Sequence, residues 1–353
     1  MNALEDLGGW PALLTELVEG RDLPASHARA AMATILSGDA TAAQLIAFVV
    51  ALRAKGETPE ELSGLLDAVL DAASLVPLGE ELRSRAVDIV GTGGDRSHSI
   101  NVSTMAAIVV AGAGVPVCKH GARAASSQCG AADVLEELGV AIELSPNGVL
   151  RCVEQAGIGF CFAPRFHPAF RFAAPSRREI GIPTVFNILG PMANPGRVRR
   201  HLIGVANPAV AERMLASLRL HGSERAWVVH GSGIDELPTT GSSTVLALDD
   251  DSVRTFTVDP VALGFAPAIP DELVGSTPPQ NAEVVRRVLK GEHGAHRNIV
   301  VLNAAAGLVV AGVVDSLEEG IILATSSIDE GHAAQTLDRW VHESQAAAAD
   351  LAG

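Results

Sequence analysis

Four short segments of this chain combine residue types that can act on an anionic substrate. The first is D-I-V-G-T-G-G-D at 88–95, followed by N-V-S-T at 101–104. Ala86–Val90 reads as a short strand that ends in glycines, and an apolar helix over 103–113 follows. Glycines let backbone N–H groups approach an anion with no Cβ in the way. A helix N-terminus adds free N–H groups and partial positive charge, and the hydroxyls of Ser103 and Thr104 add donors. This is the make-up of a phosphate cradle. It lacks the Gly-Lys-Ser/Thr ending of a nucleoside-triphosphate loop and the spacing of G-x-G-x-x-G. A plain glycine turn between strand and helix is the alternative.

The second segment, K-H-G-A-R-A-A-S-S at 119–127, follows another strand candidate at 115–118. Lys119 and Arg123 are cations, and Ser126 and Ser127 are small donors, a set suited to phosphate oxygens. A solvated basic loop is the plainer reading. In an open parallel sheet, loops at the carboxyl ends of the strands converge on one crevice, so two anion-suited loops reinforce each other. The third segment holds R-F-H-P-A-F-R at 165–171, P-S-R-R at 175–178 and N-I-L-G-P at 187–191. Arg177 and Arg178 are adjacent, so on a helix they point about 100° apart and only one can face a carboxylate. His167 reads as a structural histidine. The fourth is G-S-G-I-D-E-L at 231–237, just past a strand candidate at 226–230. Neighbouring Asp235 and Glu236 suit Mg²⁺, which is often held by one or two carboxylates plus substrate phosphates. Two solvated acids are the alternative. There is no G-x-S-x-G elbow, H-E-x-x-H or C-x-x-C pattern.

The surrounding sequence supplies elements to position these segments. The first eighty residues read as helices. Thr58-Pro59-Glu60-Glu61 is a helix start with a capping box and proline at the first helical position. Beyond Arg85, strands at 86–90, 115–118, 141–144, 226–230, 244–248 and 253–258 alternate with helices, including 131–138 and one capped by Asn281 that runs to Lys290. That alternation predicts an α/β unit with a largely parallel sheet. The Pro-rich stretch 259–280 reads as a long surface connection.

Composition limits the possibilities. The 353 residues suggest roughly two domains. An apolar fraction of 48% with 19% charged residues excludes wholesale disorder. Twenty-six basic against 41 acidic residues give a net charge of −15, which argues against nucleic-acid binding and against anchoring on anionic lipid. Aromatics are 3% and tyrosine is absent, so no base-stacking platform is expected. The four cysteines form no scaffold pattern and read as small buried hydrophobes. The first residues carry acids where a signal peptide is basic. The longest apolar stretch, 299–314, contains Asn303 and is shorter than the span of about 20 residues that a membrane requires. A cytoplasmic protein is expected.

Taken in order, these segments resemble the anthranilate phosphoribosyltransferases. The resemblance runs through the helical start, GTGGD at 91–95, N-V-S-T, K-H-G-A-R, ADVLEELG at 132–139, FAPRFHP at 162–168, the Arg177-Arg178 pair, FNILGPMANP at 186–195, Asp235-Glu236-Leu237 and IVVLNAAAGLVVAG at 299–312. It implies a small N-terminal helical domain over 1–82, completed by helices from about 168–195. A larger α/β domain with a central, mostly parallel sheet then covers 83–353. It implies a homodimer and the Mg²⁺-dependent transfer of phosphoribose from phosphoribosyl pyrophosphate to the amine of anthranilate. Carried over by residue, Gly91, Gly94, Asp95, Ser99, Asn101, Val102, Ser103, Thr104, Lys119, Ser126, Ser127 and Ala131 would contact phosphoribosyl pyrophosphate. Gly91, His120, Ala122 and Arg177 would contact anthranilate, and Ser103, Asp235 and Glu236 would hold magnesium. No covalent nucleophile or general base is implied.

The chain also departs from that pattern. Ala122 stands where the family usually has an Asn that contacts anthranilate, and Arg96 follows GTGGD where glycine is common. Ser99 replaces a common Thr and Ala131 a frequent Ser. The phosphate and magnesium half is nearly intact, while the acceptor half is altered. Two alternatives follow: the same chemistry on a different aromatic acceptor, or a non-catalytic relative that binds nucleic acid. The net charge and the retained acid pair oppose the second.

Overall fold

The computed structural model describes residues 4–95, 97–124 and 128–352. Four helices open the chain: α1 (Gly9–Val18), α2 (Ala25–Ser37), α3 (Ala42–Lys55) and α4 (Pro59–Asp71). The start of α4 is fixed as the sequence predicts: Thr58 accepts from the Glu61 N–H at 3.1 Å, and the Glu61 carboxylate accepts from the Thr58 N–H at 2.8 Å. Gly64 lets α4 lie on the start of α2, because a Cβ there would sit 2.0 Å from the Ala25 carbonyl oxygen. A short helix, α5 (Glu80–Arg85), leads into the sheet.

Seven strands form that sheet: β1 (Val87–Gly91), β2 (Val117–Gly121), β3 (Ile158–Phe162), β4 (Arg200–Gly204), β5 (Arg225–Gly231), β6 (Ser243–Asp249) and β7 (Ser252–Val258). Their order is β3-β2-β1-β4-β5-β6-β7. The first five run parallel, and β6 and β7 extend the sheet antiparallel. The parallel strands are linked through α6 (Val102–Gly112), α7 (Ala131–Glu137), α8 (Pro146–Ala156), α9 (Ala163–Phe166), α10 (Ala174–Ile180), α11 (Val185–Met192) and α12 (Ala211–Leu220). After β7 come α13 (Pro278–Leu289), α14 (Ala295–Val310), α15 (Leu317–Asp329) and α16 (His332–Ala352).

Alternation along the strands places neighbouring side chains on opposite faces. Trp227 and Val229 of β5 join a core with α6 and α14, while Ala226 and Val228 face a second core shared with α1–α4, α11 and α12. Both faces are therefore covered, as a parallel sheet requires. Segment 168–192 packs against the opening helices: Pro168–Phe172 on α2, α10 on α3, and α11 on α3 and α4.

Three local expectations change. Segment 141–144 is not a strand: Ile142 and Leu144 are buried, yet no ladder partner reaches them. The sheet instead uses β3 and β4, whose sequences IGFCF and RHLIG lack the alternation that marks a half-exposed strand. Asn281 lies inside α13 rather than at its cap, and Thr277 is the N-cap residue. All four cysteines are buried and none is in a disulfide. No helix among the described residues is long and apolar enough to cross a membrane.

Glu61 is fully buried and accepts from the Leu23 N–H at 2.8 Å and from Lys55 Nζ at 3.0 Å. Removing the carboxylate leaves the buried Leu23 N–H unpaired and leaves Lys55, itself nearly buried, with Asp22 at 2.7 Å as its remaining acid. Glu61→Ala is expected to lower unfolding stability by about 3 kcal/mol, read from urea denaturation midpoints. A loss under about 0.5 kcal/mol, the usual limit for an ordinary surface substitution, would refute this role.

Candidate active site

The sheet order reverses between β1 and β4, because the chain builds β2 and β3 on one side of β1 and returns on the other. Crevices form outside the carboxyl ends of strands at such a point. A cavity of about 300 Å³ lies there, comparable to small ligand sites. The glycine loop after β1, the end of β2 and the loop after β5 meet around it.

Missing side chains allow that meeting. A Cβ on Gly91 would lie 2.3 Å from Asp235 Oδ2, and one on Gly204 would lie 1.6 Å from the Asp235 carbonyl oxygen. Gly93 and Gly94 turn the loop with φ of +66° and +79°, the left-handed region that glycine adopts without strain. The Gly93 N–H donates to Asp235 Oδ2 at 2.6 Å. Thr92 is tied to the end of β4, its N–H donating to the Gly204 carbonyl at 2.9 Å and its Oγ1 accepting from the Ala206 N–H at 3.1 Å.

Three carboxylates and one lysine face one another here. Lys119 is 1% exposed; its ammonium donates to the Ile89 carbonyl and, at 3.3 Å, to Ser103 Oγ. Burial lowers its pKa, while Asp88 and Glu236 pull it back up. Burial and then the Asp95 carboxylate push Asp235 up to about 7. Burial, with Asp235 beside it, holds Glu236 well above the usual carboxylate range, against the pull of Lys119 and the Ser103 N–H. Asp95 Oδ2 is buried with no hydrogen-bond donor. This is an excess of oxygen acceptors over cations. Among the described residues no three His, Cys, Asp or Glu side chains converge into an all-protein metal cage. An incomplete oxygen set fits Mg²⁺, which usually completes its octahedron with water and substrate phosphate.

The cavity wall includes most of the residues that sequence reading singles out: Gly91, Gly94, Asp95, Ser99, Asn101, Val102, Ser103, Lys119, His120, Ala122, Ala131, Asp235 and Glu236. Val102 contributes at its backbone edge, since its side chain is in the core. Thr104 lies behind the wall, buried, with its Oγ1 unpartnered. Ser126, Ser127 and Arg96 lie outside the described residues. Asn101 is engaged by the protein: its Nδ2 donates to the Cys129 carbonyl at 3.1 Å and its Oδ1 accepts from Asn281 Nδ2 at 2.9 Å.

One cation is corrected. Arg123 reaches the cavity rim but pairs with Asp133 at 3.0 Å and also with Glu136, both on α7. Asp133 further accepts from the N–H groups of Ala124 and Gly130, so it pins this loop. Arg123 therefore serves the loop's shape, and Lys119 is the cation left facing the carboxylates.

Arg177 is not in the cavity wall. Its guanidinium sits 5.0 Å from the Phe186 ring centroid, half-buried, with no carboxylate partner among the described residues, and burial lowers its pKa. A run of rings joins it to the cavity: Phe186 meets Phe170 at 5.6 Å, Phe170 stacks on His167 at 5.3 Å, and His167 meets His120 at 5.0 Å. Burial holds both histidines well below their ordinary value. His120 Nδ1 contacts the Gly190 carbonyl at 3.1 Å and its Nε2 is buried without a partner. His167 Nε2 contacts the Ala193 carbonyl at 2.9 Å, which makes it the structural histidine expected.

Sequence reading missed Asp88 and Asn194 as site residues. Asp88 is fully buried; it accepts from the His120 N–H at 3.0 Å and from Asn194 Nδ2 at 2.8 Å, and burial pushes it up to about 6. Asn194 also donates to the Cys118 carbonyl at 2.7 Å. Together they fix the backbone that presents Lys119 and His120. The signal was an acid inside the apolar run Ala86–Val90, since a buried charge needs partners.

Two family models cover most of the chain. The helical bundle domain of the glycosyl transferase family matches residues 11–73, and the a/b domain of that family matches 83–334. The chain is 51% identical over 337 residues to an anthranilate phosphoribosyltransferase of Rhodococcus opacus, covering 94% of this chain and 92% of that one. The chain belongs to the anthranilate phosphoribosyltransferase family. Its fold agrees with that of the enzyme of this name from Thermus thermophilus at a TM-score of 0.89 and 38% identity, over 94% of this chain and 99% of that one. The family's Saccharomyces cerevisiae enzyme, solved in complex with PRPP and Mg, matches at 0.86 and 28% identity, over 96% and 98%.

Lys119 is the buried cation in the cavity wall, so a ligand anion entering there would meet its charge. Losing a charge-assisted hydrogen bond costs about 1.5–3 kcal/mol. Lys119→Met is expected to weaken binding of inorganic pyrophosphate by about 10- to 100-fold in calorimetry. Unchanged affinity would remove Lys119 from the anion site.

Proposed function

We propose that this chain transfers the 5-phosphoribosyl group of phosphoribosyl pyrophosphate to the amine of anthranilate, releasing pyrophosphate. One observation carries the reading: a buried lysine and three carboxylates face each other across a glycine loop at the sheet's switch point. The C1–O bond of the donor breaks and its electron pair leaves with pyrophosphate. The amine lone pair forms the C1–N bond, and the amine proton passes to solvent. An aromatic amine is neutral at pH 7, so the reaction requires no strong base.

The chain's contribution is electrostatic stabilisation and positioning. Gly91, Gly94 and Asp95 frame the pyrophosphate, with Ser126 and Ser127 assigned to phosphate oxygens. Ser99, Asn101, Val102, Ser103, Thr104 and Ala131 are assigned to the phosphoribosyl moiety. Lys119 neutralises charge that grows on the leaving group. Asp235, Glu236 and Ser103 Oγ would hold Mg²⁺. When bound, that ion supplies charge neutralisation and Lewis-acid polarisation of phosphate oxygens. The acceptor lies on the other side of the loop, toward Gly91, His120 and Ala122. Arg177, a half-buried cation with no carboxylate partner among the described residues, receives the acceptor's carboxylate.

The same reading assigns 168–195 to the helical domain with 1–82, supported by the packing of α10 and α11 on α3 and α4. It takes the working form to be a homodimer through that domain, supported by the exposed Val18 and Val50. Sedimentation is then expected to give about twice the chain mass of 36.4 kDa.

Anthranilate fluorescence is expected to fall with phosphoribosyl pyrophosphate and Mg²⁺, and to persist with EDTA. Arg177→Ala should raise the anthranilate KM about tenfold or more with the donor KM little changed, as for one lost bond to a charged group. Ala122→Asn should lower the anthranilate KM. Binding of the donor with no consumption of anthranilate would assign the site to another aromatic acceptor.

A further inference from the structure

Asn303 lies in the middle of α14, within the apolar run Ile299–Val310, and is fully buried. A buried carboxamide in such a setting costs free energy unless each polar atom is satisfied. Its three hydrogen bonds go to two residues, and both Nδ2 and Oδ1 are satisfied. Nδ2 donates to the Leu237 carbonyl at 2.8 Å and to the Ile299 carbonyl at 2.9 Å, and Oδ1 accepts from the Leu237 N–H at 3.0 Å. Leu237 lies between β5 and β6, in a stretch with no strand partner, so Asn303 replaces the ladder for both of its main-chain groups. Leu237 immediately follows Asp235 and Glu236.

We infer that Asn303 is a positioning residue for the metal-binding acids, clamping the Leu237 backbone so that Asp235 and Glu236 reach the cavity together. The inference rests on the function proposed above. It follows from where the segment is held. On the cavity side, Asp235 meets the Gly93 N–H, and the Glu236 carboxylate meets the Ser103 N–H. Both contacts are on groups that a bound substrate or ion also addresses. The hydrogen bonds of Asn303 go to neither acid side chain, and it reaches the segment from a buried helix outside the cavity wall. It is thus the anchor that persists whatever the cavity holds. A leucine of similar volume would fill the space and leave the Leu237 N–H and C=O buried without partners. Residues that hold ligands from behind typically change metal affinity by 10- to 100-fold when lost.

The test uses the full chain with phosphoribosyl pyrophosphate and Mn²⁺ as the probe, free Mn²⁺ being read by electron paramagnetic resonance. Asn303→Ala is expected to raise the Mn²⁺ dissociation constant about tenfold or more. In the transfer assay it should raise the Mg²⁺ concentration for half-maximal rate in parallel, with the anthranilate KM changed less than twofold. A cooperatively melting Asn303→Ala protein with wild-type Mn²⁺ affinity would overturn the inference. If Asn303→Ala does not fold, Asn303→Asp is read by the same criteria; its carboxylate keeps the Leu237 N–H bond and loses the donor. A wild-type protein without Mg²⁺-dependent transfer would instead overturn the function proposed above, whatever the variants do.

Discussion

A lysine ammonium held out of water among carboxylates is the constraint on which the rest of this structure depends. Lys119 is buried at the end of β2, with Asp88 and Glu236 both acting on its charge. Such a set is costly to desolvate, and it persists only where further hydrogen bonds fix each member. Asn194 and the His120 N–H hold Asp88. Gly93, Ser103 and Asn303 hold the acid segment from two sides. The glycines at 91 and 204 exist because Asp235 occupies the space their side chains would fill. The parallel sheet then brings three strand ends to one point.

The charge excess has a functional consequence. Asp95 Oδ2 lacks a donor, and burial and mutual repulsion make Asp235 and Glu236 reluctant to ionise unless a cation is near. The site favours a ligand that brings positive charge with it. The same balance explains why Arg123 is spent on Asp133 and Glu136: it shapes the loop while Lys119 faces the acids.

Legibility in the sequence followed range. The glycine loop, the Lys119 strand end and the Asp235-Glu236 pair were readable because each carries its chemistry within a few residues. The capping box at Thr58 and Glu61 was readable for the same reason. Asp88 and Asn194 are 106 residues apart, and Asn303 is 66 from Leu237, so their roles come into being only when the sheet and α14 assemble. β3 and β4 escaped because fully covered strands show no alternation. Segment 141–144 shows the converse: it has strand-like burial, but no neighbouring strand lies within reach.

Arg177 stands in a different setting from the charged set. The charged set is built at the sheet's strand ends, where geometry is set by main-chain ladders. Arg177 instead sits on α10, a short helix packed on the opening bundle, and is joined to the cavity through Phe186, Phe170, His167 and His120. Those rings form a neutral, low-dielectric path, since burial keeps both histidines uncharged at pH 7. On the function proposed above, the aromatic acid would lay its ring against these rings and its carboxylate toward the guanidinium. Ala122 stands in the cavity wall two residues past His120, alongside the charged set.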